Sequence, residues 1–347
     1  MPGTVLDYVS APEFSDKKLT EMINIPPYVT GLPAQLGLFV DEPINTTYVR
    51  IGVVEDDITI IPARSRGGPN NKNMRGDRAQ LLIDVPHFPL DDAITPSDIQ
   101  NIGGWGENFI MESLAGVYSQ KLAGMRLKHD ATSHHMDWGA LKGLIVDAEA
   151  KTLLNLFTIF GVTQTTVDFV LGTTTTDLAA KVRAVKSAIR LALRGAPMSG
   201  IRVFASKTWY DSFVGHTFIK DFMKYYAQPG QVNPNRDSVD DVFVFGGVTF
   251  QAVEEEFQVR NTDGTFTTYD AVADGEAIAV PLGTGLFKRY AAPPDTIFNA
   301  NNAPTPGDRV FVSTNDLPHG KGRDVHTESN LIPVCTRPGV MIKLTTS

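Results

Sequence analysis

Cysteine is almost absent from this chain: Cys335 is the only one in 347 residues. Neither an internal disulfide nor a thiolate metal cluster can be built from one thiol, which fits a reducing compartment. A run of about 18 apolar residues, long enough to span a bilayer, is also missing. The acidic, proline-containing start Met1 to Glu13 lacks the charged and apolar regions of a secretory leader. The expectation is a soluble, intracellular protein. Net positive charge is missing too: the formal charge is -8. A dedicated nucleic-acid binder needs many Lys/Arg contacts to phosphate, so only incidental contact with nucleic acid is expected.

The motifs of common chemistries are equally scarce. The only Gly-Lys pair, Gly320-Lys321, is followed by Gly322 and not by the Ser/Thr of a phosphate-binding loop. Gly103-Gly104-Trp105-Gly106 lacks the spacing and preceding strand of a dinucleotide fingerprint and reads as a helix bend. No Gly-x-Ser-x-Gly elbow occurs. His129, Asp130, His134, His135 and Asp137 form one dense group of potential ligands, but their spacing matches no zinc pattern, so a polar turn before Gly143 is expected. Glu254-Glu255-Glu256 could supply a carboxylate pair for glycoside chemistry. Adjacent acids on a strand point to opposite faces and no partner base is evident, so a solvated strand edge is expected. Cys335 has no histidine near it in sequence and reads as a buried structural residue. The expectation is no catalytic residue, no metal and no cofactor.

What is present is core-forming material, 42% hydrophobic, with 30 glycines and 22 prolines clustered between strand-like runs. Ser15 to Met22 reads as one short helix, and Pro26, Pro27 and Pro33 force an extended path around it, so the beginning reads as an arm. Val49, Ile51 and Val53 alternate with polar or small residues in a strand from Tyr48 to Ile61, answered by a second strand from about Ala79 to Val85. The intervening Pro62 to Arg78 carries Arg64, Arg66, Lys72, Arg75 and Arg78 against a single acid, Asp77. A long hairpin with such a tip is either a solvated excursion or a lever laid on a neighbouring subunit.

Thr95-Pro96-Ser97-Asp98 marks a helix start with Thr95 as candidate N-cap, and Phe109, Ile110, Leu114, Val117, Leu122 and Met125 carry a long helix to Lys128. Leu144 to Phe157 reads as a β-hairpin with an Asp/Glu turn. Leu178, Val182, Val185, Ile189 and Leu193 form one apolar stripe on a helix from Asp177 to Arg194, capped by Thr176 and stopped by Gly195. Lys181, Arg183, Lys186, Arg190 and Arg194 occupy its other faces. A solvated helix surface is the first reading of them; contact of Lys181, Lys186 and Arg190 with nucleic acid is the second. A strand at Ile201 to Ala205, a helix at Thr208 to Tyr226, strands within Val242 to Phe250 and a hairpin from Phe257 to Tyr269 turning at Asp263-Gly264 form a compact α+β region. Val340 to Leu344 ends the chain as a strand returning to the first sheet.

Several stretches, in this order and at these separations, resemble the lambda-like major capsid protein E family of tailed bacteriophages: Tyr48-Val49-Arg50-Ile51, Pro62-Ala63-Arg64-Ser65-Arg66-Gly67, His87-Phe88-Pro89, Gly139-Ala140-Leu141-Lys142-Gly143, His319-Gly320-Lys321-Gly322-Arg323, Glu328-Ser329-Asn330-Leu331 with Pro333, and Arg337-Pro338-Gly339. The resemblance implies an α+β fold of the tailed-phage capsid type. Its parts would be an N-terminal arm (1–47), an extended hairpin loop (48–90), a peripheral domain with a long spine helix (91–198), an axial domain (199–290) and a C-terminal return to the peripheral domain (291–347). It also implies a non-enzymatic subunit of hexamers and pentamers in an icosahedral head around double-stranded DNA, made in the host cytoplasm and resident in the virion. Implied partners are other copies of the chain, a portal, a scaffold or protease, a decoration protein and non-specifically held DNA, with no membrane. Lys72 lies where some relatives crosslink, yet no acceptor asparagine or activating acid is identifiable, so crosslinking is not expected. A nanocompartment shell of the same fold, a polysaccharide-active enzyme using the Glu254 to Glu256 acids, and a tail-tube subunit are the competing readings.

Overall fold

The computed structural model describes residues 12–26, 30–54, 78–100, 107–226, 242–261, 263–297, 303–305 and 307–346. In chain order the elements begin with helices α1 (Asp16–Asn24) and α2 (Leu32–Gln35) and strands β1 (Val40–Pro43), β2 (Tyr48–Val54), β3 (Arg78–Asp84) and β4 (Phe88–Ile94). Helices α3 (Pro96–Gln100) and α4 (Glu107–Lys142), strands β5 (Leu144–Val146) and β6 (Thr152–Asn155), helix α5 (Leu156–Ile159), strand β7 (Thr166–Asp168) and helix α6 (Leu178–Leu193) follow. Then come β8 (Gly200–Ser206), α7 (Lys207–Gly215), α8 (Thr217–Tyr226), β9 (Val242–Phe245), β10 (Val248–Val253), β11 (Glu256–Arg260), β12 (Phe266–Asp270), β13 (Glu276–Leu282) and β14 (Phe287–Ala291). Strands β15 (Phe311–Asp316), β16 (Arg323–Ser329), β17 (Leu331–Cys335) and β18 (Ile342–Thr345) complete the chain.

The main core is built on a six-stranded sheet in the order β7-β18-β13-β8-β10-β9. Both its faces are covered, which is why Val203, Phe204 and Ala205 of β8 are all buried where a half-exposed strand would alternate. Phe204 meets Trp138 of α4 edge-on at 5.2 Å. On the other face Phe213 of α7 stacks on Phe250 of β10 at 4.4 Å and on Trp209 at 5.2 Å. The apolar stripe of α6 is buried at every expected position, Leu178, Val182, Val185, Ile189 and Leu193. Gly246 and Gly247 both take positive φ, 59° and 75°, in the tight turn between β9 and β10. A second, smaller cluster joins Phe14, Leu19 and Ile23 to Leu114, Tyr118, Leu122 and Met125 of α4 and to Val310, Val312 and Val325.

Several expectations need correction. Helix α4 runs 36 residues to Lys142, about 54 Å at 1.5 Å per residue, so His129 to Asp137 is its buried end and not a turn. The cap of α6 is Asp177, whose carboxylate accepts the Ala180 N–H at 3.0 Å; Thr176 donates instead to the Val170 carbonyl. Thr95 does not cap α3 by accepting: its N–H and hydroxyl both donate to Asp98. The expected helix from Thr208 to Tyr226 breaks at His216, whose ring accepts the Phe218 N–H at 3.2 Å and bonds the Thr173 carbonyl at 2.9 Å. Strand β18 joins the sheet of β13, in register Glu276↔Thr345, and not the first hairpin. From Pro12 onward the expected arm is docked on its own subunit: Leu19 and Ile23 are buried, and β1 pairs in parallel with β14.

Candidate functional site

Arg126, His129, His134 and Asp137 lie along one side of α4, and each of these four is engaged by a different distant segment. Arg126 bonds Asp130 one turn on at 2.9 Å and reaches back to the Ile23 carbonyl at 3.1 Å and Asn24 at 2.8 Å. The His129 ring lies between Ser329 (2.9 Å) and Thr327 (3.0 Å) of β16. Burial, helped by the nearby Arg126 charge, lowers its pKa to about 4, so His129 is neutral at pH 7. Asp137, fully buried, receives Arg289 of β14; Arg289 also bonds Asp41 of β1 at 2.7 Å, and Asp41 pairs with Arg309.

His134 turns to Glu255, with Nε2 and the carboxylate 2.7 Å apart. Glu255 also accepts the Trp138 indole N–H at 2.6 Å and the Leu32 backbone N–H at 2.9 Å. Burial alone would raise its pKa, but His134, Leu32 and Trp138 outweigh that and hold the carboxyl below its ordinary value. Gly31 is required beside it: at φ +79°, a Cβ here would lie 1.9 Å from His134 Nε2. The expected solvated edge at Glu254 to Glu256 is therefore corrected for Glu255, which ties α2, α4 and the β10–β11 corner together. Glu254 goes separately to Lys207 at the surface.

Among the described residues no group of three His, Cys, Asp or Glu side chains could hold a metal. The ligand-like group on α4 is dispersed among separate partners. Cys335 is buried and its thiol is pushed up to about 12 by burial, the state of an inert structural thiol. No helix among the described residues is long and apolar enough to cross a membrane.

Of the basic residues singled out in the sequence, Arg64, Arg66, Lys72 and Arg75 lie outside the described residues, and Arg78 opens β3. On α6, Lys186 donates to the Gly246 carbonyl at 2.8 Å, Lys181 is half-buried and Arg190 is exposed. Among the described residues, strands β2 and β3 pair only with each other. Between their base and the body lies an open cleft of about 1650 Å³, lined by Tyr48, Arg50, Leu191, Arg194, Lys288 and Arg337 among others. Leu191 is 75% exposed in it. The cleft brings together the base of the hairpin, the end of α6 and β14, segments that sequence reasoning kept apart. The Asp41–Arg289–Asp137 tie was also missed, because its members are separated by many residues and have no local spacing to announce them.

The fold is that of phage capsid subunits. A putative capsid protein of a prophage from Escherichia coli CFT073 superposes with a TM-score of 0.55 at 10% identity, covering 96% of this chain and 99% of that one. A phage-related protein of Bordetella bronchiseptica RB50 gives a TM-score of 0.50 at 12% identity over 95% and 96% of the two chains. The chain belongs to the phage major capsid protein E family, whose model matches residues 15–346. The major capsid protein of Pseudomonas phage KPP10 is 28% identical over 349 residues, 95% of this chain and 96% of the relative. That of Salmonella phage Felix O1 is 26% identical over 350 residues, 93% and 94% of the two chains. The expected family and fold are thereby borne out, and the phage shell is favoured over a cellular nanocompartment. The chain is a bacteriophage major capsid protein, a component of the virion.

Proposed function

We propose that the chain is a purely structural subunit, without catalytic activity, that closes into hexamers and pentamers of an icosahedral head around double-stranded DNA in the host cytoplasm. The observation that carries this reading is the family match from residue 15 to 346. The disposition of the polar groups supports it. The ionisable residues inside the body, including Asp137, Arg289, His129, His134 and Glu255, act as ties between distant segments, and each is engaged by other protein groups.

Ring closure requires one patch of the surface to fit a different patch on the next copy. The region 199–290 would supply the contacts around the ring axis, and 91–198 with 291–347 the peripheral body. The hairpin of β2 and β3 would carry Arg64, Arg66, Lys72, Arg75 and Arg78 onto acids of the adjacent copy. Each subunit then engages several others, and modest contacts sum to strong avidity once the shell closes. Lys181, Lys186 and Arg190 would face packaged DNA, contributing only the non-specific phosphate contacts that a net charge of -8 allows. A portal, a scaffold or protease and a decoration protein complete the proposed partners.

Negative-stain microscopy of the protein expressed alone tests this reading. Rings or closed particles are expected. A chain that stays monomeric at high concentration, or one that hydrolyses polysaccharide, would overturn it.

A further inference from the structure

The open cleft beside β2 runs against the charge of the chain. Acids outnumber Lys and Arg by 39 to 31 overall, yet the charged lining of the cleft is Arg50, Arg194, Lys288 and Arg337 against one acid, Glu42. Glu42 is taken by Lys288 at 2.7 Å. Arg50 lies over the Tyr48 ring and donates to its hydroxyl at 2.8 Å, and Arg337 donates to the Leu193 carbonyl at 2.6 Å. Among the described residues, Arg50, Arg194 and Arg337 have no carboxylate partner. They share the cleft with the exposed apolar side chains of Leu191 and Val162. At about 1650 Å³ the space exceeds the roughly 300–1,000 Å³ of a small-ligand site. Phosphate would leave Leu191 bare, whereas a protein segment carrying acids beside an apolar side chain matches both features.

The β11–β12 hairpin presents that pattern. Among the described residues its strands pair only with each other, and a two-stranded ribbon is marginal by itself. Its inner face rests on α4, where Phe257 meets the rings of His134 at 4.8 Å and His135 at 5.0 Å. On the outer face Glu256 stands directly opposite Asp270, and Arg260 opposite Phe266. Like charges so placed repel, and neither acid makes an ion pair among the described residues. Lys142 acts on Asp270 only through space. Phe266 is 64% exposed. We infer that this outer face is the counterpart of the cleft on a second copy of the chain: Glu256 and Asp270 pair with Arg50 and Arg194, and Phe266 covers Leu191. The inference rests on the proposed ring assembly and names one contact within it. A patch meeting a different patch is what ring closure requires.

Two co-expressed cysteine variants test the contact. Thr268→Cys places a thiol on the outer face of the hairpin and Thr163→Cys one in the cleft, while Cys335 is buried and inert. A short bismaleimide should join the two variants to each other and neither variant to itself. Glu256→Lys/Asp270→Lys added to the first should cut that yield at least about tenfold, and Arg50→Glu/Arg194→Glu in the second should restore it. Where a reversed variant does not fold, the crosslink with all charges intact still decides the contact. No crosslink while microscopy shows rings or shells overturns this contact alone; no crosslink and no assembly overturns the ring reading with it. A yield unaffected by Glu256→Lys/Asp270→Lys overturns the charge pairing. DNA retention lost in Arg50→Glu/Arg194→Glu, with no crosslink, would assign these cations to phosphate and overturn the inference.

Discussion

Arg289 and Asp137 meet as a two-pronged ion pair in the interior, Nε to Oδ1 at 3.3 Å and Nη2 to Oδ2 at 2.5 Å, with the side chains 3% and 0% exposed. The pair fastens the end of α4 to β14, and through Asp41 to β1. Desolvating two ions offsets most of their attraction, so such a pair adds specificity of docking more than stability. Removing one partner is another matter, because a buried charge is then left behind. Asp137→Asn should destabilise the subunit by about 3 kcal/mol or more, measured by denaturant unfolding. Asp137→Leu combined with Arg289→Met should recover much of that loss. A double variant as unstable as Asp137→Asn would show that the charges themselves are required.

His129 gives the fold a sensitivity to acid. Its pKa falls from 6.5 unfolded to about 4 folded, through burial first and the Arg126 charge second. A base with a depressed folded pKa stabilises fully above its unfolded value, and that contribution is lost as pH falls from 6.5 through about 4. The upper limit of the loss is roughly 3 kcal/mol. His129→Gln keeps a side chain able to bond Ser329 and Thr327 but cannot titrate. Unfolding free energies at pH 7 and pH 4.5 should therefore converge for this variant more than for the wild type. Equal acid sensitivity in both would exclude His129 as its source.

How much of this was readable in advance follows from where the partners lie. The α6 stripe was legible because spacings of four and three residues place Leu178 to Leu193 on one face locally. The last turns of α4 were not, because inward positions there are polar: His129 and Asp137 are buried where Ser329 and Thr327 meet the one and Arg289 the other. The break at His216 is likewise fixed by a remote carbonyl, that of Thr173. Strand β18 was legible as a strand, but its place between β13 and β7 is a non-local pairing that no short window encodes. The basic hairpin loop was visible by charge count, whereas the cover of β15 by α1 depends on Thr20 and Asn24 meeting Val312 and Val310, almost 300 positions away.

Neighbouring acids should respond unequally to substitution. Glu255 is held by His134, Trp138 and Leu32, so Glu255→Gln should cost about 1–3 kcal/mol in urea unfolding at pH 7. Its folded pKa lies below the ordinary value, so its contribution is present above the unfolded pKa, about 4.5, and is lost as pH drops through the lower folded value. Glu254→Gln removes only an exposed pair with Lys207 and should stay within about 0.5 kcal/mol of the wild type. Equal effects from both substitutions would contradict the tie between α2, α4 and the β10–β11 corner.

Charge on the hairpin loop is the most direct test of assembly. Arg64, Arg66, Lys72, Arg75 and Arg78 face a single acid, Asp77, within Pro62 to Arg78, so their counter-charges are proposed to lie on the adjacent copy. Reversing two of them, Arg64→Glu with Arg75→Glu, turns attraction into repulsion at every copy of that contact, and a closed shell multiplies the effect. Shell yield by sedimentation and microscopy should fall at least about tenfold, while the unfolding midpoint of the free subunit stays within the small range of surface substitutions. Salt should weaken assembly of the wild type in parallel, since exposed pairs are screened beyond about 8 Å at physiological ionic strength. Unchanged shell yield in the reversed variant would mean that these cations serve only to keep the loop solvated.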